Sequence, residues 1–385
     1  MKIKQIIHRG LLLAAAIILF ASCGKNNSSN NGRILTSATG SIYECLVVMN
    51  DQALTQDQLN EIAQHKLVNE ASGYTKPIAS LYDLVEAVMA ADMPCMPQVE
   101  PYFRVTKVAT AQFDDMFKPT RNILFVDINP QKYTQLKAKV SNNYWSTPQA
   151  ICRIQTPSEE EFVAYWLEHG EEIRDWFVNQ EIKRQMKFYR ASTNKQARAI
   201  LQAEGYDMLI PEDYMVIMDT VLEGASTYSL RQPVTVAPDV RLLWCCNNKG
   251  SMRRDLVVYS YPYTDENTFT QDYLNAKRDA VLSRVVSASV EGSYMGTEYK
   301  VFPPQMRAIT VQDDEYATEV RGLWKILDGE AMGGPYVSHT RLDQVNGRVV
   351  TAETFLYAAG QKKRTALRQA EAILYTLQLP QDTIK

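Results

Sequence analysis

The chain has 385 residues, with 41 Lys and Arg against 44 Asp and Glu, a formal net charge of −3 and 45% apolar content. A mildly acidic balance exerts no electrostatic pull on nucleic acid, which sets aside that class of partner. The apolar share is enough for one large core or two moderate ones.

The amino end gives an address. Lys2, Lys4 and Arg9 precede an apolar run at residues 11–21, about eleven residues long, and no acidic residue interrupts them. That run falls short of the ~20 residues a membrane-crossing helix needs, so it reads as a signal peptide over residues 1–22. "FAS" then leads into Cys23. The arrangement resembles the lipobox of bacterial lipoproteins, which implies that the Cys23 thiol receives a diacylglycerol and further fatty acyl chains such as palmitate. Phe20 stands where that motif usually has an aliphatic residue. Losing residues 1–22 moves the formal charge from −3 to about −6. Residues 23–40 are expected to form the lipidated cysteine and a flexible tether, since "GKNNSSNNG" has nothing apolar to bury. Gly24 occupies the position where an Asp resembles an inner-membrane retention signal, and no acidic export cluster follows. The expected location is therefore the outer membrane, on its periplasmic face, with the cell surface as the alternative.

Residues 41–190 read as a first α+β segment. "SIYECLVVM" is strand-like, 55–70 and 78–91 carry helical spacing, and 101–108 and 122–128 return to strand. A short helix is expected after Pro130. A long one follows, with Ser158 as cap and Glu161 completing a capping box, bent or broken at Gly170. Residues 191–300 repeat the order of signals: a helix at 195–204, strands at 211–220, 241–246 and 255–262, and a helix at 267–286. "PQVEPYFRV" aligns with "IPEDYMVIM", and "RNILFVDINP" with "RRDLVVYSYP". The parallel suggests an internal duplication, although two α+β segments of like length also produce it by chance. Residues 301–385 read as three antiparallel strands (316–327, 335–345, 348–358) and one closing helix (361–378). Asn346-Gly347 signals a two-residue hairpin turn. The fold class expected is thus α+β, antiparallel sheets with packed helices.

Recognisable chemistry is sparse. Cys45, Cys95, Cys152, Cys245 and Cys246 form no spaced pair of the zinc or redox kind and read as buried small hydrophobes, while an oxidising periplasm leaves a disulfide between two of them open. His65, His169 and His339 lie far apart, so no metal site is implied. No Walker loop, nucleophile elbow or dinucleotide fingerprint occurs, so no cofactor is implied. Ser192-Thr193-Asn194-Lys195 matches the S-x-x-K of serine acyl-enzymes, but its two companion motifs are missing and capping explains Ser192 without chemistry. Two surfaces could bind. On the hairpin, Thr340 is expected opposite Glu353, with His339, Arg341 and Asp343 sharing a face that either binds an anion or a sugar or is a solvated charge ladder. On the long helix, Trp166, Trp176 and Phe177 are too many large rings for one narrow stripe, so they serve either a protein partner or a helix buried on two sides.

"RGLW", "MGGP", "ETFLYA", "KKR" and "EAIL", in this order behind a lipobox, resemble a Bacteroidota lipoprotein family named only as a domain of unknown function, 4837. The resemblance covers most of the mature chain, is sharpest over 316–376, and implies an envelope lipoprotein with no established enzyme mechanism. Physically, the same residues read as a turn at 333–335 and as Gly322 leaving backbone for an aromatic ring to cover. The combined expectation is a non-catalytic outer-membrane lipoprotein, anchored through Cys23, that works with an envelope protein partner. A glycan-binding lipoprotein is the alternative, and a hydrolase using Ser192 and Lys195 the third.

Overall fold

The computed structural model describes residues 34–65, 76–223, 226–228, 233–235, 239–311 and 315–383. They fall into two compact units. The first takes the chain as far as Gln58, then 80–82 and 105–168; the second takes 59–79, 83–104 and everything from His169 onward. These units do not follow the divisions expected at 190 and 300. The signal segment, Cys23 and most of the tether lie outside the described residues, as do residues 66–75 of the expected helix at 55–70.

In the first unit, β1 (Thr36–Ser37) pairs in parallel with β6 (Ser146–Thr147), so the end of the expected tether is structured. The main sheet has five strands: β2 (Glu44–Val48), β3 (Arg104–Val108), β4 (Asn122–Ile128), β5 (Lys137–Asn142) and β7 (Ala150–Thr156), in the order β3-β2-β4-β7-β5. Strands β2, β4 and β7 run parallel, and β5 is antiparallel to β7. The near-continuous apolar run of β4 suits a parallel strand covered on both faces. Leu46, Val48, Val108, Ile123 and Ile151 form the core, ringed by Phe113, Phe125 and Trp145. The short helix expected after Pro130 is absent, and β5 and β7 stand in its place. Its segment "QKYTQLKAKVS" is rich in helix formers, but pairing with the buried β7 overrides that local preference.

Helix α1 (Gln56–Gln64) begins with a reciprocal capping box: the Thr55 amide donates to Gln58 Oε1 at 2.8 Å and the Gln58 amide to Thr55 Oγ1 at 3.3 Å. Helix α2 is Leu81–Met89, with Leu84, Val85 and Val88 buried. Helix α3 (Glu159–Tyr189) runs unbroken through Gly170. Ser158 Oγ accepts the Glu161 amide at 3.2 Å, whereas Glu161 turns its carboxylate to Thr156 Oγ1.

The second unit is built on an eight-stranded antiparallel sheet. Its strands are β8 (Met215–Glu223), β11 (Asp239–Asn247), β12 (Arg253–Pro262), β13 (Tyr294–Thr297), β14 (Gln305–Thr310), β15 (Tyr316–Leu327), β16 (Gly333–Asp343) and β17 (Arg348–Tyr357). The order is β13-β15-β16-β17-β12-β11-β8, with β14 also on β15. Short strands β9 (Ser226–Tyr228) and β10 (Pro233–Thr235) pair with each other. The three tail strands thus lie inside a wider sheet instead of forming one of their own. The suggested duplication also has no topological counterpart, because β4 sits between parallel neighbours and β12 between antiparallel ones.

Helix α4 is Lys195–Ala203, α5 is Gln271–Val285 and α6 is Arg364–Leu374. On one face of the sheet Arg278 of α5 meets Glu353, with Nε 2.9 Å from its carboxylate; on the other, Arg321 of β15 donates to Glu371 of α6. Helices on both faces leave neither side of the central strands in water. The amino end of α6 is closed by the buried Glu100, whose two oxygens accept the Lys363 and Arg364 amides at 2.6 and 2.8 Å. Gly322 lies opposite Tyr336, and a Cβ there would stand 2.6 Å from that ring. An aromatic ring does cover this bare backbone.

Candidate functional site

The residues expected to bind fall into two groups, and neither forms an open surface. Trp166 and Phe177 are fully buried and Trp176 is half-buried. In the first unit Trp166 stacks on Phe162 with centroids 6.0 Å apart; in the second Phe177 meets Phe103 edge-on at 6.2 Å. Trp166 and Phe177 belong to cores, which favours the helix buried within the fold over the protein-partner surface, the two readings left open for these rings.

His339, Arg341 and Asp343 do share a face, and it is covered. The strands leave a four-residue loop at 344–347, so Thr340 pairs with Thr351 and Ser338 with Glu353, a shift of two that preserves the faces. Arg341 donates to both oxygens of Asp382 at 2.7 and 2.8 Å, and Asp343 accepts Arg348 Nε at 3.1 Å. His339 packs edge-on against Tyr375, centroids 4.7 Å apart, with Nε2 3.5 Å from Glu319. The face is therefore neither a solvated ladder nor a free ligand platform.

Glu319, His339 and Glu371 place potential ligand atoms within 4.8 Å of one another, a spacing that would suit a metal ion. Guanidinium groups already hold that position. Arg321 donates to Glu319 at 2.8 and 3.0 Å and to Glu371; Arg368 reaches both Glu371 oxygens at 3.1 and 3.0 Å; and Arg307 Nε meets Glu319 at 2.6 Å. Burial alone would raise the Glu319 carboxyl, but Arg321, His339 and Arg307 hold it well below the usual carboxylate range. A donor set cross-linked by arginines does not fit a metal, and its role is to bind α6 to the sheet.

An open groove of about 610 Å³ lies elsewhere in the second unit, lined from the end of α3, the 211–214 loop, the β11–β12 turn and α6. Such a volume falls in the ordinary range for small-molecule sites. Ser192 sits at its rim. The hydroxyl donates to Glu212 at 2.5 Å, and the α4 cap is Asn194, whose Oδ1 accepts the Ala197 amide at 2.9 Å. This replaces the expectation that Ser192 caps the helix. Lys195 is not among the lining residues. Deeper in, Tyr189 donates to the Gln369 carbonyl at 2.8 Å, and Asn247 Nδ2 donates to Asp213 at 2.6 Å. Burial raises the Tyr189 and Tyr214 hydroxyls above their ordinary value, keeping both neutral, with Arg254 pulling the other way. Arg254 lines the groove with its Nε buried. Of this set, only Ser192 was found from sequence; the arginine pair at the head of the apolar strand "RRDLVVYSYP" was the available signal for Arg254.

All five described cysteines are free and buried. No helix among the described residues is long and apolar enough to cross a membrane.

The chain is an α+β protein whose groove carries amides, carboxylates, cations and phenols. Residues 192–376 match the family model DUF4837, a domain of unknown function, and residues 79–190 match a second, DUF8532, also a domain of unknown function. The first match is confined to the carboxyl-terminal half and does not extend over most of the mature chain as expected. No curated protein matches the chain.

Proposed function

We propose that the protein is a non-catalytic outer-membrane lipoprotein of Bacteroidota type, anchored through Cys23 on the periplasmic face, that acts as an accessory module by binding a polar ligand or partner segment in the Ser192–Arg254 groove. The observation that carries the binding reading is the groove's lining. It combines Gln185, Asn247 and Gln369 amides with neutral phenols and an exposed Phe188 ring. Ser192 faces a carboxylate, and the lysine of its S-x-x-K motif lies outside the lining. The anchor rests on the lipobox and tether. A glycan ligand is the form of this reading that amides and an exposed ring favour.

Complementation of a deletion strain tests it. Cys23→Ala is expected to lose fatty-acid labelling and function together. Ser192→Ala is expected to complement fully, while Ser192→Trp, which fills the groove from its rim, is expected to fail at matched folded abundance. Loss of function in Ser192→Ala would indicate catalysis, and full function in Ser192→Trp would remove the groove from consideration.

A further inference from the structure

Arg254 differs from the other arginines of its sheet. Arg241, Arg253, Arg307, Arg321, Arg341 and Arg348 each have a carboxylate within salt-bridge distance. Arg254 has none among the described residues, and its buried Nε has no hydrogen-bond acceptor. Its neighbour Arg253 takes Asp255 with two nitrogens, at 2.9 and 3.0 Å, which leaves that carboxylate committed. Lys249, in the β11–β12 turn, also lines the groove and has no salt-bridge partner among the described residues. The two acids present, Glu212 and Asp213, are exposed and accept from the neutral donors Ser192 and Asn247. A buried guanidinium N–H left without an acceptor is a cost to the folded state. The residue itself lines the groove, so the rest of its side chain borders a cavity and not a sealed core.

Building on the groove-binding reading above, we propose that the ligand bears an oxyanion, a carboxylate or phosphate, received by Arg254 with Lys249 as a second positive charge. The guanidinium supplies directed N–H donors and Lys249 a point charge, the pairing by which proteins recognise such groups. Glu212 and Asp213 at the rim repel a second negative group, so the remainder of the ligand is neutral or cationic. Hydroxyl or amide groups on it find partners in Gln185 and Gln369.

Calorimetry on the full chain in detergent, with glucuronate, glucose 6-phosphate, inorganic phosphate and glucose as probes, tests the assignment. At least one anion is expected to bind about tenfold or more tighter than glucose, the size of one charge-assisted hydrogen bond. Preference for glucuronate identifies a carboxylate, and preference for the two phosphates a phosphate. Arg254→Gln is expected to erase the preference without lowering the ligand-free melting temperature, because no internal partner is lost; Lys249→Gln weakens binding a few-fold. Equal affinity for glucose and the anions, an Arg254→Gln variant that keeps the preference, or no binding of any anion overturns the oxyanion assignment. The Ser192→Trp complementation judges the groove separately.

Discussion

Replacing Glu371 by Gln tests the arginine network. The Glu371 carboxylate is fully buried and takes Arg321 on one oxygen and Arg368 on both, at 3.1 and 3.0 Å. Gln keeps one acceptor and turns an NH₂ group toward a guanidinium. At least one charge-assisted bond is lost outright and another weakened, each about 1.5–3 kcal/mol. Arg321 then keeps only the Glu319 carboxylate, which it shares with Arg307. Breaking a buried pair from one side costs about 3–5 kcal/mol, because the remaining charge stays buried without compensation. For a unit of this size that corresponds to a fall of about 6–20 °C in melting temperature. Urea unfolding and thermal melts followed by circular dichroism measure it, and the double variant Arg368→Met, Glu371→Leu is the control. Removing one charge of each sign should recover most of the loss. A Glu371→Gln protein within about 1 kcal/mol of wild type, or a double variant as unstable as the single one, would refute the account.

Lys277→Met should stabilise the protein at pH 7. The Lys277 ammonium is buried over Tyr261, 4.3 Å from the ring centroid, with no hydrogen-bond partner among the described residues, and burial lowers its pKa to about 8. Between pH 8 and about 10.4 the unfolded chain holds the proton that the folded one has shed, so wild-type stability rises with pH there and the gain of the variant shrinks; a pH-independent difference in melting temperature would contradict this. Glu298 acts in the opposite sense. Its hydrogen bonds from Lys325 and the Lys300 and Val301 amides lower its pKa to about 2, so its contribution is complete above about 4.3 and disappears as pH falls toward 2, and acid titration of Glu298→Gln should lack that component. Gly334→Ala would drive a Cβ onto the Leu356 carbonyl, the acceptor of Trp324 Nε1 at 3.0 Å, and should cost about 1–3 kcal/mol by chemical denaturation. Cys152, Cys245 and Cys246, whose thiols burial raises to about 12, should resist iodoacetamide at pH 8 until the protein unfolds, as mass spectrometry would read.

The strands at 122–128 and 316–327 and the cap at Ser158 were legible because apolar patterning and local hydrogen bonding act over a few residues. The alternation that put His339, Arg341 and Asp343 on one face was equally legible. Their burial was not, since it depends on Tyr375 and Asp382, which sequence spacing does not bring near. Charged residues in a strand suggest solvent, and here they mark a surface covered by a helix with charges of its own. The groove was hidden for a related reason. Arg254, Asn247 and Tyr189 come from three elements and resemble no motif, whereas the visible motif, Ser192 to Lys195, is divided between a rim and a helix start.

The Glu100 clasp on α6 has a consequence for biogenesis. It joins positions 263 residues apart, and closing a loop of that length costs about 5 kcal/mol of chain entropy before any contact offsets it. As the chain is synthesised, the first unit has all its residues once Glu168 has emerged, while 83–104 wait for partners not yet made. Through that interval Phe103, buried in the finished protein, lacks the Phe177 ring that packs against it. The nascent chain is thus most open to aggregation between completion of its first unit and arrival of its last helix, the period in which a holding chaperone has the most to protect.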